Sequence, residues 1–251
     1  MVTAGMRRYR VRTAHQASLV GPADGEALDL PTLFPEQSTQ SPLRLEIGFG
    51  HGEFITALAQ EHPHERLIGV EHDALRVTKT AHKCLKNGVA NVRLFSDDAH
   101  RFVRMRLPEA SLSRIYILFP DPWPKIGHRR RRLLSRGFLL DLSHAAAPGC
   151  RLIMASDTHE YAWQCLSNLT TLPGLWRNAY LPAGYRIDIP TRFPTVFERY
   201  KKSEGCSIAY LLCERTALAA PPRAPYLAPR GREVQDVPIR NSPGNLADPP
   251  G

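Results

Sequence analysis

Leu43-Arg44-Leu45-Glu46-Ile47-Gly48-Phe49-Gly50-His51-Gly52 decides the fold. A short apolar run, Leu43 to Ile47, meets a glycine turn, and Phe54, Ile55, Leu58 and Ala59 then recur at helical spacing. Strand, glycine turn and helix in that order open a parallel α/β sheet. The same unit repeats downstream. Leu67 to Val70 reads as a second strand, ended by Glu71, and Leu75, Thr78, Ala81, Cys84 and Leu85 mark a helix that closes at Asn87-Gly88. Val92 to Phe95 is a third strand, followed by Asp97-Asp98 and a helix carrying Phe102 and Val103. The fourth, Ile115 to Phe119, precedes a helix with Leu134, Phe138 and Leu142 on one face. The fifth, Cys150 to Ala155, leads through Asp157-Thr158 to a helix with Tyr161, Cys165 and Leu169. Tyr185 to Ile189 and Ser207 to Cys213 lack a full crossover helix between them, so they form an antiparallel edge hairpin. The expected fold is therefore α/β: a doubly wound, mostly parallel seven-stranded sheet, Rossmann-like, with that hairpin at one edge.

Residues 42–215 carry this pattern as one domain. Residues 1–41 form a basic, irregular N-terminal extension, and 216–251, rich in proline, alanine and arginine, are expected to be a disordered tail. A net charge of +9 attracts polyanions, of which nucleic acid is the commonest. Arg7, Arg8, Arg10 and Arg12 stand in a stretch without acids, a composition shared by organellar transit peptides and by basic arms that grip a nucleic-acid backbone; the second reading is favoured. The five cysteines are odd in number, scattered and never in a C-x-x-C pair, which argues against a disulfide framework or a zinc site. His62 and His64 read as loop residues, and no metal is expected. No apolar run approaches the length of a membrane span. The expectations are a cytoplasmic protein without membrane attachment, acting as a monomer or weak homodimer.

In an open α/β sheet the ligand lies beyond the carboxyl ends of the strands, and Glu71, Asp98, Asp121 and Asp157 stand at four successive such ends. Glycines at 48, 50 and 52 let the backbone approach a ligand closely, and an acid about 20 residues later suits two ribose hydroxyls, which pairs Glu71 with a nucleoside. A dinucleotide fingerprint needs a third glycine where this chain has Glu53, and an acid there repels a pyrophosphate. Glu46 instead places a carboxylate where an ammonium group could sit, as in the amino-acid end of S-adenosylmethionine. Asp98 could accept from an adenine amino group, or could simply cap a helix.

Ile117-Leu118-Phe119-Pro120-Asp121-Pro122-Trp123-Pro124-Lys125 is the second informative stretch. Three prolines enclose one acid and one tryptophan, so a strand ends in a rigid loop that holds both side chains with little freedom. Stacking on Trp123 and hydrogen bonding to Asp121 suit a flat ring. His128-Arg129-Arg130-Arg131-Arg132 then opens the next helix, where arginine forks and helix-end amides can both hold phosphates. Arg192, Arg199, Lys201 and Lys202 form a second basic cluster.

Leu45-Glu46-Ile47-Gly48-Phe49-Gly50-His51-Gly52, Ile68-Gly69-Val70-Glu71, Asp98-Ala99, Phe119-Pro120-Asp121-Pro122-Trp123-Pro124-Lys125 and Thr195-Val196-Phe197-Glu198 together resemble the bacterial tRNA (guanine-N7)-methyltransferases over about residues 43 to 215. The resemblance implies a class I methyltransferase fold, S-adenosyl-L-methionine as donor, and the variable-loop guanine of tRNA, position 46, as acceptor. By position, Glu46, Gly48, Gly50, Gly52, Glu71, Asp98 and Asp121 match the cofactor-contacting residues, with Asp121 also at the catalytic point. Lys125, Asp157, Thr195, Val196, Phe197 and Glu198 match the substrate-binding residues, and Gly127, His128, Arg129, Arg130, Arg131 and Arg132 the RNA-contacting stretch. Glu198 can accept from guanine N1–H and the exocyclic amine together, or can pair with Arg199 or Lys201. A methyltransferase for another acceptor, and a non-enzymatic RNA-binding module on the same fold, are the competing functions.

Overall fold

The computed structural model describes residues 19–21, 27–191 and 193–223; expectations for the basic arm at 1–18, for Arg192 and for 224–251 lie outside the described residues. Five parallel strands form the body of the sheet: β1 (Leu43–Ile47), β2 (Arg66–Glu71), β3 (Val92–Ser96), β4 (Leu112–Leu118) and β5 (Ala146–Ser156). Every residue of β1 and β2 is buried, as strands with helices on both faces must be. Strand β8 (Ala209–Arg215) runs antiparallel to β5. Across the sheet the order is β3-β2-β1-β4-β5-β8, with β6 (Trp176–Asn178) beyond β8.

The sequence predicts seven strands, and the sheet has eight. The difference lies at one edge, where two short strands share β8: β6 (Trp176–Asn178) pairs with Cys213–Arg215, and β7 (Arg186–Ile187) with Ala209–Tyr210. Three residues give β6 too few positions to display an alternation.

Helices α2 (Glu53–Glu61) and α3 (Ala74–Lys86) cover one face, burying Ile55, Leu58, Val77 and Cys84 against Leu67, Leu94 and Tyr116. Helices α4 (Ala99–Met105), α5 (Arg136–Ala145) and α6 (His159–Thr170) cover the other, burying Phe102, Phe138, Leu142 and Tyr161 against Leu45, Ile115 and Met154. The buried stripe of α3 is Val77, Thr80, Ala81 and Cys84, spaced i, i+3, i+4, i+7, whereas Leu75, read from sequence as part of that face, is 60% exposed. Helix α7 (Val196–Ser203) precedes β8.

The packed unit extends past both limits read from sequence. Upstream, α1 (Leu30–Leu33) sits between Leu28 and Phe34, both buried in the α4–α6 core, and the Gly21 amide donates to the Leu94 carbonyl at 2.9 Å. Downstream, residues 216–223, placed by sequence in the disordered tail, lie against the domain: Thr216 N–H donates to Leu175 O at 3.0 Å, and Arg223 to Arg104 O at 3.0 Å. No helix among the described residues is long and apolar enough to cross a membrane.

Candidate active site at the carboxyl edge

Strands β1 and β4 run parallel, but the strand order turns around between them, outward to β3 on one side and to β5 on the other, which opens a crevice above their carboxyl ends. The glycine turn borders it. Gly48, Gly50 and Gly52 all have positive φ, at 73°, 55° and 72°, a region that other residues enter at a cost. Their neighbourhoods differ. A Cβ on Gly52 would stand 2.2 Å from Thr80 Cγ2, so Gly52 lets α3 pack closely, whereas a Cβ on Gly48 or Gly50 would meet nothing within 4 Å. Two of the three glycines thus leave open space beside the backbone.

One carboxylate holds this turn and a second lies in the strand that leads into it. Glu71, at the end of β2, accepts from the Gly50 amide at 3.0 Å and from the Asp73 amide at 3.2 Å, with His72 Nδ1 2.8 Å away. Glu46 lies in β1 with a buried Oε2 that has no hydrogen-bond partner among the described residues. Burial, reinforced by Glu53 and then Glu71, pushes its carboxyl up to about 8. An orphaned carboxylate among two others favours a cation, and the ammonium of S-adenosylmethionine fits that requirement.

A cavity of about 870 Å³ lies next to the turn, with Gly48, Glu71, Asp98, Asp121, Trp123 and Arg131 on its wall. Asp98 caps α4, its Oδ1 accepting from the amides of His100 and Arg101 at 2.9 and 3.1 Å, and also faces the cavity. Asp121 is exposed, and its carboxylate has no hydrogen bond or ion pair among the described residues. The loop around it is strained: Phe119 and Trp123 have φ of 56° and 40°. Phe119 N–H donates to Ala155 O at 2.8 Å, which anchors the near end of the loop to β5. Trp123, expected to stack on a flat ring, carries the Arg131 guanidinium 5.0 Å over its ring and meets His128 edge-on at 5.9 Å.

The basic run departs from expectation in two ways. It does not open α5, whose N-cap is Ser135; it forms a separate 3₁₀ helix, Ile126–Arg131, with exposed Lys125 at its N-cap and Gly127 in its first turn. Second, Arg132 is withdrawn from any RNA surface. Its side chain is 1% exposed; Nε donates to Pro122 O at 2.6 Å, and the two terminal nitrogens reach the Glu160 carboxylate at 3.0 and 2.9 Å. Gln164 takes a further bond and the Tyr161 ring lies beneath. With its donors consumed inside the protein, Arg132 positions the Asp121 loop. Arg130 and Arg131 are exposed beside the cavity, and Arg129 pairs with Glu160 at 3.2 Å.

Asp157 and the Thr195–Glu198 segment gather on the far side of Phe119. The Phe119 and Phe197 rings stand 5.1 Å apart, and Thr195 caps α7 by accepting from the Glu198 amide at 2.9 Å, with Val196 exposed at its first turn. Glu198 Oε1 accepts from Thr191 Oγ1 at 2.7 Å, Tyr210 O–H at 2.7 Å and Lys202 Nζ at 2.8 Å. Burial opposes its ionisation, but the bonds from Lys202, Tyr210 and Thr191 prevail and hold its carboxyl below the usual range. Neither Arg199 nor Lys201 is its partner: Arg199 donates to Pro194 O, and Lys201 lies 3.7 Å from Asp157 and 3.2 Å from Glu204. Of the described members of the second basic cluster, Lys201 and Lys202 pair with acids and Arg199 with a backbone carbonyl. Sequence reasoning missed Tyr210 and Glu160, which act from distant elements, and Thr191, which reaches Glu198 from the loop seven residues before it; only Lys202, at i+4 from Glu198, carried a readable signal.

Comparison with known proteins agrees with this geometry. A family model described as “Putative methyltransferase” matches residues 40–202. The tRNA (guanine-N(7)-)-methyltransferase of Rhodospirillum rubrum is 38% identical over 220 residues, covering 88% of this chain and 85% of that protein. Its counterpart in Acidithiobacillus ferrooxidans is 39% identical over 178 residues, covering 71% and 77%. The crystal structure of the 16S rRNA methyltransferase KamB matches with a TM-score of 0.58 at 17% identity, over 79% of this chain and 98% of that one, and at that identity it supports the fold alone. An orphaned acid under a glycine turn, a strained Pro-Asp-Pro-Trp-Pro loop over the same crevice and relatives that span most of the chain lead to one assignment: the chain belongs to the tRNA (guanine-N(7)-)-methyltransferase family.

Proposed function

We propose that this protein transfers a methyl group from S-adenosyl-L-methionine to N7 of a guanine in tRNA, the acceptor being the variable-loop guanine 46 that the family resemblance implies. The observation that carries the reading is that Asp121 stands on a strained loop at the crevice the glycine turn borders, with Phe119 of that loop packed on Phe197 of the helix that bears Glu198. When bound, the cofactor supplies its methyl group as a sulfonium.

Guanine N7 carries a lone pair and no proton, so the reaction needs no general base; it needs the reacting atoms in line at about 3–3.5 Å with water excluded. Positioning therefore dominates. Glu46 receives the cofactor's ammonium, Gly48 and Gly50 allow close approach, and Glu71 faces the ribose. Asp121 orients the base and stabilises the positive charge that its ring gains. On the other side of Phe119, Glu198 reads N1–H and the 2-amino group, with Asp157 and Lys125 at the rim of the proposed guanine site and Arg130 and Arg131 on phosphates.

The test is incubation of the protein with labelled S-adenosylmethionine and unmodified tRNA transcripts, wild type or with guanine 46 replaced. Label recovered as 7-methylguanine from the wild-type transcript alone is the expected result. Equal labelling of both transcripts would move the acceptor to another position, and absence of 7-methylguanine from either would reject the activity.

A further inference from the structure

A second concavity, of about 300 Å³, lies at the opposite edge of the sheet, near the amino ends of β1, β4 and β5. Arg44, Arg114 and Arg151 line it together with Glu65, Ser113 and Gly149. The three arginines are direct register partners on adjacent strands, Arg44 opposite Arg114 and Arg114 opposite Arg151. Parallel partners share a face, so the three side chains leave the same side of the sheet about 4.8 Å apart, strand to strand. Like charges so placed repel.

Compensation within the protein is uneven. Arg44 is paired bidentately with Glu65, Nη2 to Oε1 at 2.7 Å, and donates to Tyr116 O–H at 3.1 Å. Among the described residues Arg151 has only a distant partner, Glu214 at 3.7 Å, which Arg177 approaches more closely, at 2.6 Å. Arg114, the central member, has no hydrogen bond or ion pair among the described residues. A half-buried guanidinium between two others, opening on a concavity, lacks an anion.

The same face leads towards Glu198. From Arg114 it continues through Tyr116 to Leu118, from Arg151 through half-buried Ile153 to Ala155, and from Glu214 through half-buried Leu212 to Tyr210, whose hydroxyl holds Glu198. Four residues of β4 separate the arginine row from the strand's carboxyl end, about 13 Å at ~3.3 Å per residue. One RNA strand can span that distance.

We propose that Arg44, Arg114 and Arg151 form a phosphate-binding site that takes a backbone phosphate of the RNA substrate, so that the RNA runs from the proposed guanine site towards the amino ends of β4 and β5. This rests on the tRNA reading above. Arg44 is the fixed wall, oriented by Glu65 and Tyr116, while Arg114 and Arg151 supply the uncompensated donors, in a planar fork suited to phosphate oxygens.

The test uses the full chain with Arg114→Ala/Arg151→Ala, the matching double lysine variant, and Arg151→Glu alone at an exposed position. Cofactor affinity, expected unchanged in all three, reports an intact fold. For the double alanine variant, tRNA binding at ~0.1 M salt should weaken about tenfold, with the slope of log K against log salt reduced by about 1 to 2 and kcat unaltered. The lysine pair should recover most of the affinity, and Arg151→Glu should also weaken binding. Unchanged tRNA affinity and slope in folded variants would reject the site as an RNA contact. If, in that case, inorganic pyrophosphate raised the melting temperature of the wild type but not of the double alanine variant, the site would serve a free phosphate ligand and the RNA assignment would be wrong. Because the binding arm needs no turnover, a wild type that binds tRNA without methylating it would overturn the activity and leave this site decided on its own data.

Discussion

The Arg132 guanidinium donates to the backbone carbonyl of Pro122 at 2.6 Å, so the loop bearing Asp121 is fastened from beneath by an arginine of the run that follows it. Glu160 clamps the same guanidinium from α6, which makes one helix the foundation of the Asp121 loop. A backbone strained at Phe119 and Trp123 persists only where its surroundings over-determine it, and this clamp is part of that surrounding.

Arg132→Ala is therefore expected to act on stability and rate together. Loss of charge-assisted bonds to Pro122 and Glu160 should lower stability by about 2–3 kcal/mol, and the loosened loop should reduce kcat at least about tenfold, with tRNA affinity little changed. Arg131→Ala, at an exposed position beside the cavity, should do the reverse: weaker tRNA binding and an unchanged melting temperature. Thermal melts and tRNA titrations on the two variants decide it; matching profiles would reject the division of labour.

Asp121→Asn keeps the shape of the side chain and removes its charge. Turnover should fall about 10²-fold, while the melting temperature and tRNA affinity stay near wild type, because Asp121 is exposed and has no partner among the described residues that the substitution could break. Single-turnover kinetics separate a defect in the chemical step from one in release; near-normal single-turnover rates would remove Asp121 from the chemistry.

Much of this site is legible in the sequence because its parts are local. A strand running into Gly48-x-Gly50-x-Gly52 and a loop enclosed by prolines declare themselves within ten residues. Arg132 does not: in a run of four arginines nothing local marks one for burial, and only Glu160 and Gln164, on α6, single it out. Thr195-Val196-Phe197-Glu198 has the spacing of a helix cap, and Thr195 does cap α7, but the inward turn of Glu198 depends on Tyr210 from β8. Leu28, Leu30, Leu33 and Phe34 follow neither a helical nor a strand period around Pro31, so nothing in the sequence marks Leu28 and Phe34 as core residues. The phase of α3 was misread because Leu75 and Val77 are equally apolar, and the sheet decides which is buried.

Glu198 offers its two oxygens unequally. Oε1 takes three donors, whereas Oε2 has none among the described residues, and in the proposed function Oε2 is the oxygen that meets the guanine. Wild type should discriminate at least about tenfold in kcat/KM between a transcript with guanine at the target and one with inosine, which lacks the 2-amino group. Glu198→Gln should narrow that ratio and lower stability, since Lys202 loses its charged acceptor. The carboxyl is depressed in the folded state, so its stabilisation is present above the usual carboxylate range and lost as pH falls through the folded value. An unchanged guanine-to-inosine ratio in a folded Gln variant would exclude Glu198 from base recognition.

Glu46 sets function against stability. Its carboxyl titrates at about 8 when folded, against 4.5 ordinarily, so between those values the folded chain keeps a proton that the unfolded chain has released. Stability from this group therefore falls as pH rises through that window, and the loss is complete above about 8. Glu46→Gln cannot ionise. Its melting temperature should match wild type near pH 4.5 and exceed it at pH 8.5. The cofactor's ammonium needs the ionised acid, so wild-type affinity should weaken by up to about tenfold per unit as pH falls below 8, whereas the variant should bind weakly at every pH. Thermal melts and calorimetric titration with S-adenosylhomocysteine, which keeps the same ammonium, measure both effects. A variant that is more stable yet binds with wild-type affinity would leave the burial argument intact and remove Glu46 from the cofactor site.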